Sequence, residues 1–236
     1  MKQIWRYLLI LVVVLVTWNT IFIKPLKLFT VFLHELGHSL MAVIFGNGIS
    51  GIKINFNESG YALVHTKGWL SQFMVTSGGY LGSLFFAILI LYLKRTAIKK
   101  YLLGTIAIIF LIVSVKFAGL DSTLVFSIIF AGIVIAIYMI QSEKVNDWAI
   151  DILGISSVAY SIHDTFVDTI LLKFRLPLSV IGEKSYVSDS ERLAQITFIP
   201  SVVWGILWFV ISIVAVYFLL IKTGSSKASA STKNQK

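Results

Sequence analysis

The sequence predicts an all-α polytopic membrane protein with about six or seven transmembrane helices and a small β-hairpin. The 236-residue chain is 57% hydrophobic and only 13% charged, where ordinary soluble domains carry roughly 25% charge. Its mean hydropathy is +0.89. Several apolar runs approach or exceed the roughly 20 residues that a helix needs to cross a bilayer.

The first run covers about residues 4–23 and follows a basic start, Met1 to Arg6. It is longer than a signal-peptide core and no small-x-small site closes it, so it reads as a retained helix. Lys24, Pro25 and Lys27 punctuate the chain, and proline suits a helix start. A second helix is expected from about Leu28 to Phe45, ended by Gly46, Asn47 and Gly48. Residues 49–67 then alternate with period two. Ile52, Ile54 and Phe56 stand against Tyr61, Leu63 and His65 around the turn Asn57 to Gly60, which is a hairpin pattern.

A third helix is expected from about Gln72 to Leu93. The run SGGYLG from Ser77 lies near its start, and its glycines permit close helix approach. Spans at about 101–118 and 121–140 are mostly Leu, Ile, Val and Phe; Lys116 and Asp121 read as snorkelling or loop residues. The segment from about Asp147 to Leu172 is apolar but holds Ser156, Ser157, Ser161, His163, Asp164 and Asp168. A polar loop is expected from Lys173 to Gln195, and a last span at about 198–221. Residues 1–222 thus form one membrane-embedded domain. Residues 223–236 are small and polar and read as a disordered basic cytoplasmic tail.

The formal charge of +9 is clustered at Lys94, Arg95, Lys99 and Lys100, and again at Lys222, Lys227, Lys233 and Lys236. Such clusters mark cytoplasmic loops facing anionic headgroups. No aromatics are interleaved and no recognisable module is present, so the charge does not point to nucleic acid. With the 94–100 cluster and the tail inside, seven crossings put the N-terminus outside, against Lys2 and Arg6. A second helix that does not fully cross would reconcile both ends. The chain has no cysteine. Any metal must therefore be held by His, Asp or Glu.

The strongest chemical signal is HELGH at His34–His38, inside an apolar stretch. On a helix, HExxH sets two imidazoles one turn apart on one face, able to grip one zinc ion with Glu35 beside it as a general base. Polar groups this deep in an apolar segment are costly unless paired or bound to an ion. Catalytic zinc usually has three protein ligands. The third is expected at Asp164, with Asp168 as runner-up and His163 behind them. The carboxylate left over would orient a ligand imidazole. His65 reads as a hairpin surface residue.

The HELGH segment, the hairpin after it and SGGYLG together resemble the M50 (site-2 protease) metallopeptidases, and their M50B-like branch most. The serine-rich stretch from Ser156 to Asp168, the Ser188-Asp189-Ser190 motif and Trp204-Gly205 are also similar to that branch. The resemblance implies zinc on His34 and His38 and a catalytic Glu35. The chain lacks the NPDG or LDG segment from which the best-known site-2 proteases take their third ligand; Asp121 is followed by Ser122. The expected function is zinc-dependent hydrolysis of peptide bonds in membrane-embedded or membrane-proximal substrates, in a bacterial plasma membrane. The alternatives are a non-proteolytic scaffold or chaperone, a small-solute transporter or channel, and a zinc hydrolase of lipid-like amides.

Overall fold

The computed structural model describes residues 2–46, 48–166 and 187–233. Among the described residues, eight helices and one hairpin follow in the order α1 (Lys2–Val16), α2 (Lys24–Ile44), β1 (Ile49–Ile54), β2 (Gly60–Val64), α3 (Gly68–Leu93), α4 (Lys99–Phe117), α5 (Ser122–Met139), α6 (Glu143–Phe166), α7 (Asp189–Thr197) and α8 (Ser201–Lys233). The predicted helical class and the hairpin are both present. Five helices, α2, α3, α4, α5 and the Ser201–Phe218 part of α8, are long and apolar enough to cross a membrane. The chain is a multi-pass membrane protein. α1 is apolar but shorter, and α6 carries Glu143, Lys144, Asp147 and Asp151 in its first half. α8 continues in helical backbone past residue 222 to Lys233.

The local chemistry accounts for the boundaries. Pro25 sits in the first turn of α2. Glycines 46 and 48, both at positive φ, turn the chain out of α2 into the hairpin. β1 and β2 pair antiparallel with Ile52 opposite Ala62 and Ile54 opposite Gly60. Asp121 is the N-cap of α5, accepting from the Thr123 N–H at 2.8 Å.

Contacts along the helices fix their directions. Arg6 meets Asp151 and Trp18 meets Tyr160, so α1 and α6 run the same way. Lys94 also meets Asp151, while Ser83 meets Ser161, so α3 runs against α6. Gly79 lies at both His34 and His38, and His38 meets Val75. α2 therefore also runs against α3. Thus α1 and α2 travel in one direction, with the turn at residues 17–23 between them, and together make a single passage through the bundle. Phe73 packs on Trp204 and Tyr80 on Trp208, so α8 runs with α3. The beginning of α1 lies with the basic cluster after α3, and α8 heads toward the same end. The mismatch between the two ends of the chain disappears once α1 and α2 count as one passage.

Small residues set the closest contact. A Cβ on Gly82 would stand 2.5 Å from the Gly37 Cα, and one on Gly78 2.8 Å from the Gly37 carbonyl oxygen. Backbone thus meets backbone where α2 crosses α3, the arrangement that small residues allow between membrane helices. The serines of α6 serve packing. Ser161 donates to Ser83 (3.1 Å) and to the Ser157 carbonyl (2.8 Å), and Thr30 of α2 reaches Ser157 at 3.4 Å. An aromatic core of Phe29, Phe32 and Phe110, with Phe130, joins α2 to α4 and α5. Around this core the outer faces of α4 and α5 expose large apolar side chains such as Ile112 and Ile128, the surface that lipid covers.

Gly82→Ala should destabilise the fold by about 1–3 kcal/mol through overpacking at the α2–α3 crossing. Gly132→Ala, where an added Cβ meets nothing within 4 Å, should be neutral or stabilising by up to about 1 kcal/mol. Thermal unfolding of the two variants in detergent reads the difference.

Candidate metal centre

HELGH lies in the middle of α2. The four-residue spacing puts His34 and His38 one turn apart on the face turned to α3, with ring centroids 4.8 Å apart. Their Nε2 atoms stand 3.1 Å from each other. The opposite wall is Gly79. A side chain there would overlap both Nε2 atoms, so the glycine leaves room for whatever the two nitrogens face. The Tyr80 ring meets His34 edge-on at 5.0 Å and is backed by Trp208 at 4.6 Å.

A carboxylate completes the cluster from the far end of the chain. Asp189 Oδ2 lies 3.0 Å from His34 Nε2 and 3.0 Å from His38 Nε2. It is the first residue of α7, which opens with a capping box. Ser188 accepts from the Glu191 N–H, and Glu191 accepts from the Ser188 N–H at 3.0 Å. Leu193, one turn on, is fully buried against Tyr80 and Trp208. Residues four apart share a helix face, so burying Leu193 turns Asp189 inward. Two further bonds pin α7: Trp69 Nε1 donates to the Ile196 carbonyl at 2.8 Å, and Trp204 Nε1 donates to Thr197 at 3.2 Å.

The donor chemistry shows what this cluster fits. His38 Nδ1 donates to the Val75 carbonyl at 2.7 Å, because a carbonyl can only accept. In the neutral ring Nε2 is then a lone pair. It faces a second imidazole nitrogen and a carboxylate oxygen, all about 3 Å apart. Protonating both rings would instead set two positive charges side by side in a buried site. A divalent cation satisfies the three donors together. Three ligands at about 2.0–2.1 Å from tetrahedral zinc lie about 3.3 Å from one another, near the 3.0–3.1 Å separations here. His34, His38 and Asp189 are the group that could hold a metal among the described residues. Burial pushes the Asp189 carboxyl up. Where protons rather than a metal ion sit on the rings, the charge of His38 and the hydrogen bonds from both rings outweigh that, and hold it well below the usual carboxylate range.

Glu35 is buried next to this group, close enough to interact electrostatically with both histidines. The hairpin covers it. The backbone of Ala62 in β2 hydrogen-bonds its carboxylate, and a Cβ on Gly60 would lie 3.0 Å from Glu35 Oε1. The centre thus joins two paired imidazoles, an inward carboxylate and a glutamate covered by a hairpin. The sequence matches the Peptidase M50B-like family over residues 7–219. The chain belongs to that family. Curated proteins and solved structures gave no match.

In this M50B-like chain His34, His38 and Glu35 stand together on α2. Of the expected third ligands, Asp164 lies in α6 with its side chain outside the described part, and Asp168 lies outside the described residues. The His163 ring stacks near Trp18 at 4.3 Å. Asp189 was expected in a polar loop, in the Ser-Asp-Ser motif that resembles the M50B-like branch, with no ligand role assigned to it. Its signal was present: Ser188 and Glu191 have the spacing of a capping box, but no local feature tells which distant helix α7 will meet. The group that orients His38 is the Val75 carbonyl, where a leftover carboxylate was expected. His65 pairs with Ser50 at 2.6 Å on the exposed hairpin.

Ser188→Ala should remove the α7 cap, cost about 1 kcal/mol, and loosen Asp189 while leaving α2 intact. Gly79→Ala should force the two imidazoles apart. Proton-detected NMR of the histidine rings should show the His38 environment changed in both variants and more in Gly79→Ala.

Proposed function

We propose that this chain is a zinc-dependent intramembrane endopeptidase of site-2 protease type, acting on membrane-embedded or membrane-proximal peptides, with His34, His38 and Asp189 as the metal ligands and Glu35 as the catalytic residue. The observation that carries this reading is the convergence of three electron-pair donors at about 3 Å beside a buried glutamate. When bound, zinc supplies a Lewis acid that acidifies water and polarises a carbonyl. Glu35 takes the proton of the attacking water and hands it to the departing amine. Val75 keeps His38 in the tautomer that presents Nε2 inward.

The hairpin gives the substrate a geometry. A peptide bond inside a helix hides its carbonyl in the i to i+4 ladder, so a substrate must be extended to be cut. β2 passes Glu35 and pairs on one side with β1. Its other edge is a template to which an extended substrate adds as a strand. Lys27 and Glu58, 3.1 Å apart, tether the hairpin tip to the start of α2.

The orientation follows from charge. Arg6, Lys94, Arg95, Lys99 and Lys100 gather at one end of the bundle, and the positive-inside rule supports a cytoplasmic position for that end in a bacterial plasma membrane. The metal group lies toward the other end. Gly79 precedes Lys94 by fifteen residues, a rise of about 22 Å along the helix.

The test uses the full chain purified in detergent, with zinc measured by elemental mass spectrometry and cleavage by a quenched-fluorescent peptide library. The native protein and Glu35→Gln should each hold close to one zinc, and Glu35→Gln should lose cleavage by a factor of about 100–10,000. Asp189→Ala should lose zinc and Asp164→Ala should keep it. The reverse pattern would move the third ligand to α6. A Glu35→Gln variant that still supports the protein's role in cells would favour a scaffold or chaperone.

A further inference from the structure

The basic end of the bundle holds a second built feature. A cavity of about 700 Å³ opens between the starts of α1, α4 and α6 and the end of α3, and Arg6, Lys94, Arg95, Lys99 and Asp147 are among its walls. Asp151 lies fully buried behind it and takes both Arg6 and Lys94, the latter at 2.6 Å. One carboxylate thus serves two cations. Lys99 sits 3.7 Å from Asp147 and 3.5 Å from Glu143, which is itself almost wholly exposed. Arg6 and Lys94 thus share one buried carboxylate behind this wall, and Arg95 and Lys99 line the cavity beside them. Burial first, and then the charge of Arg6, push Lys94 down to about 8, against the charge of Asp147.

The surroundings say which anion fits. Trp5, Tyr92 and Tyr101 are 70%, 58% and 61% exposed and ring this end of the bundle. Amphipathic rings collect at the level of lipid headgroups. Below them the α1 surface exposes Leu9 and Val12, an apolar path along which acyl chains can lie. Basic pockets between membrane helices on the cytoplasmic side take anionic headgroups. We propose that this cavity binds the phosphate of an anionic phospholipid, held by Arg95 and Lys99 at the mouth and by the Arg6–Lys94 pair at the back. A bound phosphate would relieve the cation crowding and tie α1, α3, α4 and α6 together at the end opposite the metal group.

The test reads thermal unfolding of the full chain in zwitterionic micelles, so it does not depend on activity or metal. Phosphatidylglycerol, phosphatidylcholine and inorganic phosphate are titrated separately. Phosphatidylglycerol should raise Tm saturably, and the other two should not. The double variant Arg95→Gln, Lys99→Gln spares the buried Arg6–Asp151–Lys94 cluster. It should keep its Tm in phosphatidylcholine and need about tenfold more phosphatidylglycerol for the same rise. The single variant Lys99→Gln, at a half-exposed side chain, serves if the double variant misfolds and should show a smaller shift in the same direction. Lys67→Gln with Lys116→Gln removes equal charge from the other end and should respond like the native chain. An equal response to phosphatidylcholine, a response to inorganic phosphate alone, or an equal loss in the Lys67 and Lys116 control would each overturn the proposal.

Discussion

Three electron-pair donors held about 3 Å apart inside an apolar bundle repel one another unless a cation sits among them. Every other feature of the centre follows from keeping His34, His38 and Asp189 in that arrangement. Val75 supplies the acceptor that commits one ring to facing inward. Gly79 gives up a side chain so that the two nitrogens have something other than carbon in front of them. Leu193 uses the hydrophobic effect to aim a carboxylate that would otherwise belong in water.

The backbone crossing of α2 and α3 is what makes such positioning possible in a membrane, where apolar burial gives helices little reason to associate. Glycines 37, 78 and 82 let the main chains touch. The hydroxyl contacts Ser161–Ser83, at 3.1 Å, and Thr30–Ser157, at 3.4 Å, then join α6 across the back of the pair. α3 therefore passes two charged clusters on one rod: His34, His38 and Asp189 near its beginning, and Lys94, Asp151 and Arg6 at its end. Each is stabilised by groups drawn from other helices, so the helix ends are fixed independently.

The membrane class, the order of the apolar spans, the hairpin and the placing of His34 and His38 one turn apart on a helix were all legible in local patterns of one or two turns. The passage of α1 and α2 as a single unit was legible only as a conflict between the charges at the two chain ends, and the contacts of Trp18 with α6 resolve it. The serine-rich stretch of α6 looked like chemistry because hydroxyls in an apolar helix demand partners. Much of that demand is met by back-bonding to carbonyls one turn earlier and by neighbouring hydroxyls. Asp189 was the hardest to see. It lies 155 residues from His34, in a nine-residue helix too polar to register as a span. Its direction is set by tertiary burial of Leu193, which no window of sequence contains.

X-ray absorption at the zinc edge, on the native chain purified in detergent without added metal, tests the central claim most directly. The account predicts a four-coordinate site with two imidazoles and oxygen ligands at about 2.0–2.1 Å, losing one oxygen ligand or the metal itself in Asp189→Ala. A chain that carries no zinc after saturation and washing, or zinc in an all-oxygen six-coordinate shell without imidazole, would contradict it.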